Sequence, residues 1–135
     1  MRSVRRSSWP PVPTEDAEQE ALAQYIDARG FLWAHVPNEA RGGARSRVAL
    51  GQKMKRLGVK AGVPDVLIFD RPNEPVHCAG IAIELKRRRG GRVTKEQEWW
   101  GEELRKRGWV CEVCHGVEEA IELIEAVFPL ARRKV

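Results

Sequence analysis

Gly62-Val63-Pro64-Asp65-Val66-Leu67-Ile68-Phe69-Asp70, read together with Ala79-Gly80-Ile81-Ala82-Ile83-Glu84-Leu85-Lys86, decides the fold. Both runs are short and apolar, rich in β-branched residues, and read as strands. Arg71-Pro72-Asn73-Glu74-Pro75 breaks the chain between them and predicts an antiparallel return through a long loop. In such a return the start of the first strand lies beside the end of the second. Side chains alternate along a strand, so Glu84 and Lys86 share one face while Ile81, Ile83 and Leu85 share the other. Asp65 is thereby brought near Glu84 and Lys86, and the register decides whether it shares their face. Ionised groups in apolar strands are costly unless paired, solvated or bound to a metal. Three of them at the foot of one hairpin are what a divalent-metal phosphodiesterase site requires. An edge hairpin with ordinary solvated charges is the alternative.

The rest of the composition fits a single soluble domain. At 135 residues the chain is long enough for one core. Its net charge of +5 and pI near 9.4 favour a polyanionic partner, nucleic acid first, with a merely basic surface as the plainer reading. No apolar run approaches the roughly 18–20 residues of a membrane span. The start, Met1-Arg2-Ser3-Val4-Arg5-Arg6, is basic but no apolar stretch follows it, so no signal peptide and a cytoplasmic location are expected. The 3 cysteines are an odd number and argue against a disulfide scaffold. Cys111-Glu112-Val113-Cys114-His115 matches a haem-attachment pattern, but Trp109 to Cys114 also reads as a buried strand. There Cys111 and Cys114 point to opposite faces, which is wrong for shared chemistry.

Residues 1–13 are rich in Arg, Ser and Pro and read as a flexible arm, residues 14–128 as one domain, and residues 129–135 as a basic tail. A helix is expected from Glu15 to Arg29, with Thr14 as N-cap and Gly30 as stop. Ala21, Leu22, Tyr25 and Ile26 form its apolar stripe. Glu18 lies three and four residues before Ala21 and Leu22 and so shares that inward face, unless it is only a helix-start glutamate. A short strand over residues 31–36 ends at Pro37-Asn38. Arg41-Gly42-Gly43-Ala44-Arg45-Ser46-Arg47 then leads into a basic helix ending near Leu57, with Leu50, Met54 and Leu57 as its buried face. From Arg41 to Lys60 the chain carries seven Lys or Arg, among them Arg45, Arg47 and Lys53, and no acid, a field suited to phosphate.

After the hairpin, Arg87-Arg88-Arg89-Gly90-Gly91-Arg92 forms a cationic loop at the mouth of the site. Thr94-Lys95-Glu96-Gln97 has the spacing of a capping box and opens a helix running to about Arg107. Gln97, Trp100 and Leu104 share one face of it, and Gln97 either caps its own helix or reaches the site. A strand over 109–114 and a helix over 117–128 complete the order α-β-α-β-β-α-β-α, a mixed α/β sandwich with about four strands. Trp99 and Trp100 are adjacent on a helix and cannot both face inward, which leaves one for a dimer contact. There is no Gly-rich phosphate loop, no dinucleotide fingerprint and no nucleophile motif.

Glu18, then Gly62-x-Pro64-Asp65, then Glu84-Leu85-Lys86, then Gln97 resembles the PD-(D/E)xK nuclease superfamily, with its restriction-endonuclease-like core of a mixed four-stranded sheet flanked by helices. The run from Leu57 to Asp65, Glu84-Leu85-Lys86 followed by Gly90-Gly91, and Gln97-x-x-Trp100-x-x-x-Leu104-x-x-x-Gly108 are similar to its VRR-NUC branch. The likeness covers about residues 15–125. Asn38-Glu39-Ala40-Arg41 departs from the glycine-rich Asn-Gly-Gly-Arg type of segment common there.

The resemblance implies metal-dependent hydrolysis of DNA phosphodiesters. It implies a small bacterial or phage enzyme, homodimeric and structure-selective on branched DNA such as four-way (Holliday) junctions or flaps. Asp65 and Glu84, with the Leu85 carbonyl, offer hard oxygen ligands suited to Mg²⁺ or Mn²⁺. Glu18 would bind through water or hold a second ion. Lys86 would orient the attacking water or stabilise charge in the transition state, and Gln97 would position lysine or water. Arg41, Arg45, Arg47 and Lys53, with Arg87, Arg88, Arg89 and Arg92, would hold the DNA backbone, which positions a substrate without reading its bases. A non-catalytic DNA-binding protein with the same fold is the rival reading.

Overall fold

A computed structural model of the chain describes residues 11–37, 44–72 and 77–130, with the side chains of residues 44–47 outside that description. The elements run α1 (Glu15–Arg29), β1 (Trp33–His35), α2 (Ala44–Arg56), β2 (Val66–Ile68), β3 (Ile81–Lys86), α3 (Lys95–Lys106), β4 (Val110–His115) and α4 (Val117–Val127). This is the order expected from the sequence. The expected loop residue Arg41, most of the arm at 1–13, most of the basic tail and residues 73–75 of the hairpin connection lie outside the described residues.

The four strands form one mixed sheet in the order β1-β2-β3-β4. β1, β2 and β3 pair antiparallel, and β3 pairs parallel with β4. The parallel pair follows from its connection, because α3 supplies the crossover that returns the chain to the same end of the sheet. β3 is buried from Ile81 through Leu85, as expected of an inner strand covered on both faces. On one face Leu22 and Ile26 of α1 and Ala120, Ile124 and Val127 of α4 pack on Val66, Ile68, Ile81, Ile83 and Leu85. Burying side chains of this size gives roughly 1.5–3 kcal/mol each before chain entropy is counted, so this layer fixes the sheet to α1 and α4. α3 packs on β4, and its Gly101 is buried.

The helix boundaries at α1 and α3 obey their caps. Thr14 Oγ1 accepts from Ala17 N at 3.1 Å, and Gly30 ends α1 in the left-handed region. Thr94 and Gln97 form the expected reciprocal capping box.

Three local expectations are corrected. Ala21 is exposed, because the inward stripe of α1 runs through Glu18, Leu22 and Ile26 at a spacing of four. Leu57 is 68% exposed and lies just past the end of α2 at Arg56. The first hairpin strand is shorter than its apolar run. Gly62 takes a positive φ of 89° and its backbone lies against Glu96, so a turn at residues 61–62 precedes the strand and ladder pairing begins at Val66. The cysteines behave as core residues. Cys114 joins the α1/α4 layer while Cys111 does not, and all three cysteines are free. Burial pushes the Cys111 thiol up and the Cys114 thiol to about 12, which leaves both unreactive.

Candidate active site

The register settles the relation that the sequence left open. Val66 pairs with Ile83, and one step further out Asp65 stands opposite Glu84, on the same face of the sheet. Leu85 N donates to Asp65 Oδ2 at 2.9 Å. In a strand the C=O of a residue leaves on the same side as its N–H, so the Leu85 carbonyl also points toward Asp65. The Asp65 backbone is clamped from the other side. Its carbonyl accepts from Val36 N at 2.7 Å and lies 2.9 Å from His35 Nδ1.

Glu84 is 5% exposed. Its Oε1 accepts from Gln97 Nε2 at 2.7 Å and lies 3.4 Å from Lys86 Nζ. Its Oε2 is buried and has no hydrogen-bond partner. Burial first, and then the neighbouring Asp65 carboxylate, push the Glu84 carboxyl up to about 7. Burial likewise raises Asp65, partly offset by the Leu85 N–H. Two carboxylates in one low-dielectric place resist joint ionisation unless a cation joins them. The structure thus presents two acids and a carbonyl around an unsatisfied oxygen. These donors fit a hard divalent cation that keeps part of its water shell. Among the described residues no three His, Cys, Asp or Glu side chains form a complete metal cage. Carbonyl and water oxygens would have to complete the coordination.

Gln97 does both of the things considered for it. Its Oε1 accepts from Thr94 N at 2.9 Å in the capping box while its Nε2 holds Glu84. The amide is therefore oriented by its own helix before it meets the carboxylate. Lys86 is held by a glycine. A Cβ added at Gly91 would lie 2.7 Å from Lys86 Cβ, so the 90–91 turn closes over the lysine stem only because residue 91 has no side chain.

Glu18 and Arg88 are brought together, away from this centre. Glu18 is 2% exposed. Its Oε1 accepts from Arg88 Nε at 2.7 Å, and its Oε2 accepts from Val117 N at 2.6 Å. Gly116 offers α4 no side-chain cap, and Glu18 supplies one from α1. Arg88 also pairs with Glu118 at 2.6 Å. The inward direction read for Glu18 holds, but its partners are a helix start and an arginine. Arg88 is correspondingly paired within the fold, to Glu18 of α1 and Glu118 of α4. Arg87, Arg89 and Arg92 are exposed beside Lys86, and Lys53 is exposed on α2. The side chains of Arg45 and Arg47 lie outside the described residues.

The cleft that holds Asp65, Glu84, Leu85, Lys86 and Gln97 is also lined by Glu15, Asp16 and Gln19 of α1 and by His35. The sequence reading missed these four. Glu15 and Gln19 are one turn apart, which was a usable signal for a second face of α1. His35 pairs with Val66 and meets Asp65 only through the Asp65 backbone carbonyl, a contact that strand alternation does not reveal.

A mixed four-stranded sheet flanked by helices, with an acid pair and a lysine at one end of its inner strands, is an α/β core of nuclease type. The chain belongs to the VRR-NUC family, matching the VRR-NUC domain over residues 13–118. It is also similar to a solved structure described as a VRR_NUC domain protein, at 26% identity and a TM-score of 0.71. That likeness covers 90% of this chain and 93% of the other. No curated protein matches the chain. Among the described residues no helix is long and apolar enough to cross a membrane.

Proposed function

We propose that this protein is a divalent-metal-dependent DNA endonuclease that hydrolyses phosphodiester bonds. One observation carries the reading: Asp65 stands opposite Glu84, whose second carboxylate oxygen is buried without a partner. Asp65, Glu84 and the Leu85 carbonyl would hold Mg²⁺ or Mn²⁺. When bound, such an ion lowers the pKa of a water and neutralises charge on the attacked phosphate. Gln97 keeps Glu84 Oε1 fixed and leaves Oε2 free as a ligand. Lys86, 3.4 Å from Glu84 Oε1, is in place to hold the attacking water or a phosphate oxygen as negative charge develops. Glu15 and Gln19, lining the same cleft, are better placed than Glu18 to hold a water from the α1 side. The exposed Arg87, Arg89 and Arg92 would grip the backbone on either side.

Backbone contacts of this kind favour selection by DNA shape, so branched substrates such as four-way junctions or flaps belong to the proposal. A homodimer belongs to it as well. Its support is apolar surface on and after α2, where Val48, Leu57 and Val59 remain exposed. The rival reading, a non-catalytic binder, gives no reason for a half-buried Asp65 beside a buried Glu84 that pairs with a lysine. A cleavage panel of duplex, nicked, flap, single-stranded and four-way DNA with Mg²⁺ and with Mn²⁺ tests the proposal. Metal-dependent cutting supports it, and binding without cutting under every condition points to the rival.

A further inference from the structure

One cluster outside the acid pair has the makings of a binding surface. Trp99 and Trp100 meet edge to face, with ring centroids 5.7 Å apart at 89°. Trp99 nevertheless stays 57% exposed. With Lys60, Ala61, Lys95 and Glu96 the two rings line one shallow groove. The groove is tied to the candidate active site twice. The Gly62 backbone lies so close to Glu96 that a Cβ there would fall 2.5 Å from the Glu96 carbonyl carbon, which locks the turn carrying Lys60 and Ala61 to the start of α3. Gln97, in that same helical turn, holds Glu84.

We propose that this groove stacks an unpaired nucleobase on Trp99, with Lys60 and Lys95 taking the adjoining phosphates. The preferred substrate is then DNA with a single-stranded branch or tail beside a duplex, an inference that rests on the nuclease reading for its DNA. Every base has a π-face that matches an exposed indole, and each unpaired nucleotide brings a phosphate for a nearby ammonium group. A second copy of the chain fits less well. A two-fold contact puts the same patch on both partners, so four lysines would share the seam with only two copies of Glu96. The exposed apolar side chains of α2 offer a separate surface for that purpose.

The test is equilibrium binding in chelator, so that cleavage plays no part. The probes are a blunt duplex and the same duplex with a short unpaired tail carrying 2-aminopurine. Wild type should prefer the tailed probe and quench the 2-aminopurine. Trp99→Ala should weaken tail binding by about 5- to 150-fold, the equivalent of losing one base–aromatic stack. Blunt-duplex affinity should hold, and Trp99→Phe should recover much of the loss. Equal binding of both probes by wild type and Trp99→Ala would overturn the proposal. So would a Trp99→Ala protein that sediments at half the mass and loses both probes alike, since the groove would then be a subunit contact. A Trp99-dependent tail preference in a protein that cuts nothing with Mg²⁺ would support the groove and count against the nuclease reading, so the two fail separately.

Discussion

Gln97 Nε2 donates to Glu84 Oε1 at 2.7 Å, while the buried Glu84 Oε2 receives no hydrogen bond. One oxygen of the carboxylate is fixed by a helix-capping amide, and the acid beside Glu84 is a second carboxyl, Asp65. An unpaired buried carboxylate oxygen costs free energy. That cost shows in the carboxyl's titration, and it makes the site's character measurable without a substrate.

Without metal, stability should fall as pH rises through the range set by Glu84. In the unfolded chain this carboxyl ionises near 4.5, and in the folded protein near 7. Between those values the folded state keeps a proton that the unfolded state has released, so raising the pH favours unfolding. Asp65 shifts in the same direction. The loss from Glu84 is on the order of 3 kcal/mol at most. Thermal melts in chelator from pH 5 to 8 should show a falling Tm, Glu84→Gln should flatten the curve, and Mn²⁺ should raise the wild-type Tm at pH 8. A Tm independent of both pH and Mn²⁺ would contradict this description of Glu84.

Substitutions at Gln97 should separate its two roles. Gln97→Ala loses the capping box and the Glu84 contact together. It should cost about 1 kcal/mol of stability and at least ten-fold in cleavage rate. Gln97→Glu can still cap the helix but sets a third carboxylate against Glu84, so it should melt near wild type at low pH and still cut poorly. Parallel melts and single-turnover cleavage check both halves.

Glu18 and Arg88 should matter for folding more than for chemistry. Glu18→Ala removes the cap on α4 and one of the two carboxylates that hold Arg88, and loss of the cap costs on the order of 1–2 kcal/mol. Cleavage per folded molecule should stay within about three-fold of wild type, measured well below the lowered Tm. A Glu18→Gln protein that melts normally but does not cut would return Glu18 to the catalytic set.

Gly91→Ala should act through Lys86. The added methyl would fall 2.7 Å from the lysine Cβ, so either the 90–91 turn or the lysine must move. Cleavage should drop by ten-fold or more while the melt changes little, whereas Gly90→Ala, which has open space around it, should disturb only its local φ of 81°. Equal rates for wild type and Gly91→Ala would show that Lys86 is not held as described.

Most of the fold was legible because its signals are local. Caps at Thr14, Gly30 and Thr94, the apolar runs and the proline-rich break gave every element in its order. The acid pair and lysine were legible for a different reason, as charges inside otherwise apolar strands. What escaped depends on neighbours distant in sequence. Glu18 points inward as its helical spacing requires, yet only the fold shows that Arg88 and the uncapped start of α4 wait there. Glu15, Gln19 and His35 reach the cleft through the way α1 and β1 sit against β2 and β3, which no single-segment pattern encodes. Leu57 looked buried from periodicity, but its helix ends before it.

The most direct test of the central claim is cleavage of a labelled four-way junction and a labelled flap by wild type, Asp65→Asn and Glu84→Gln. Each is assayed with Mg²⁺, with Mn²⁺ and with chelator, alongside melts and DNA binding. Wild type should cut with metal and stop with chelator, while both variants bind DNA with near-normal affinity and cut at least a thousand-fold more slowly, about 4 kcal/mol in the barrier. Undiminished cutting by either folded variant, or by wild type in chelator, would contradict the assignment of Asp65 and Glu84 as the metal-binding centre.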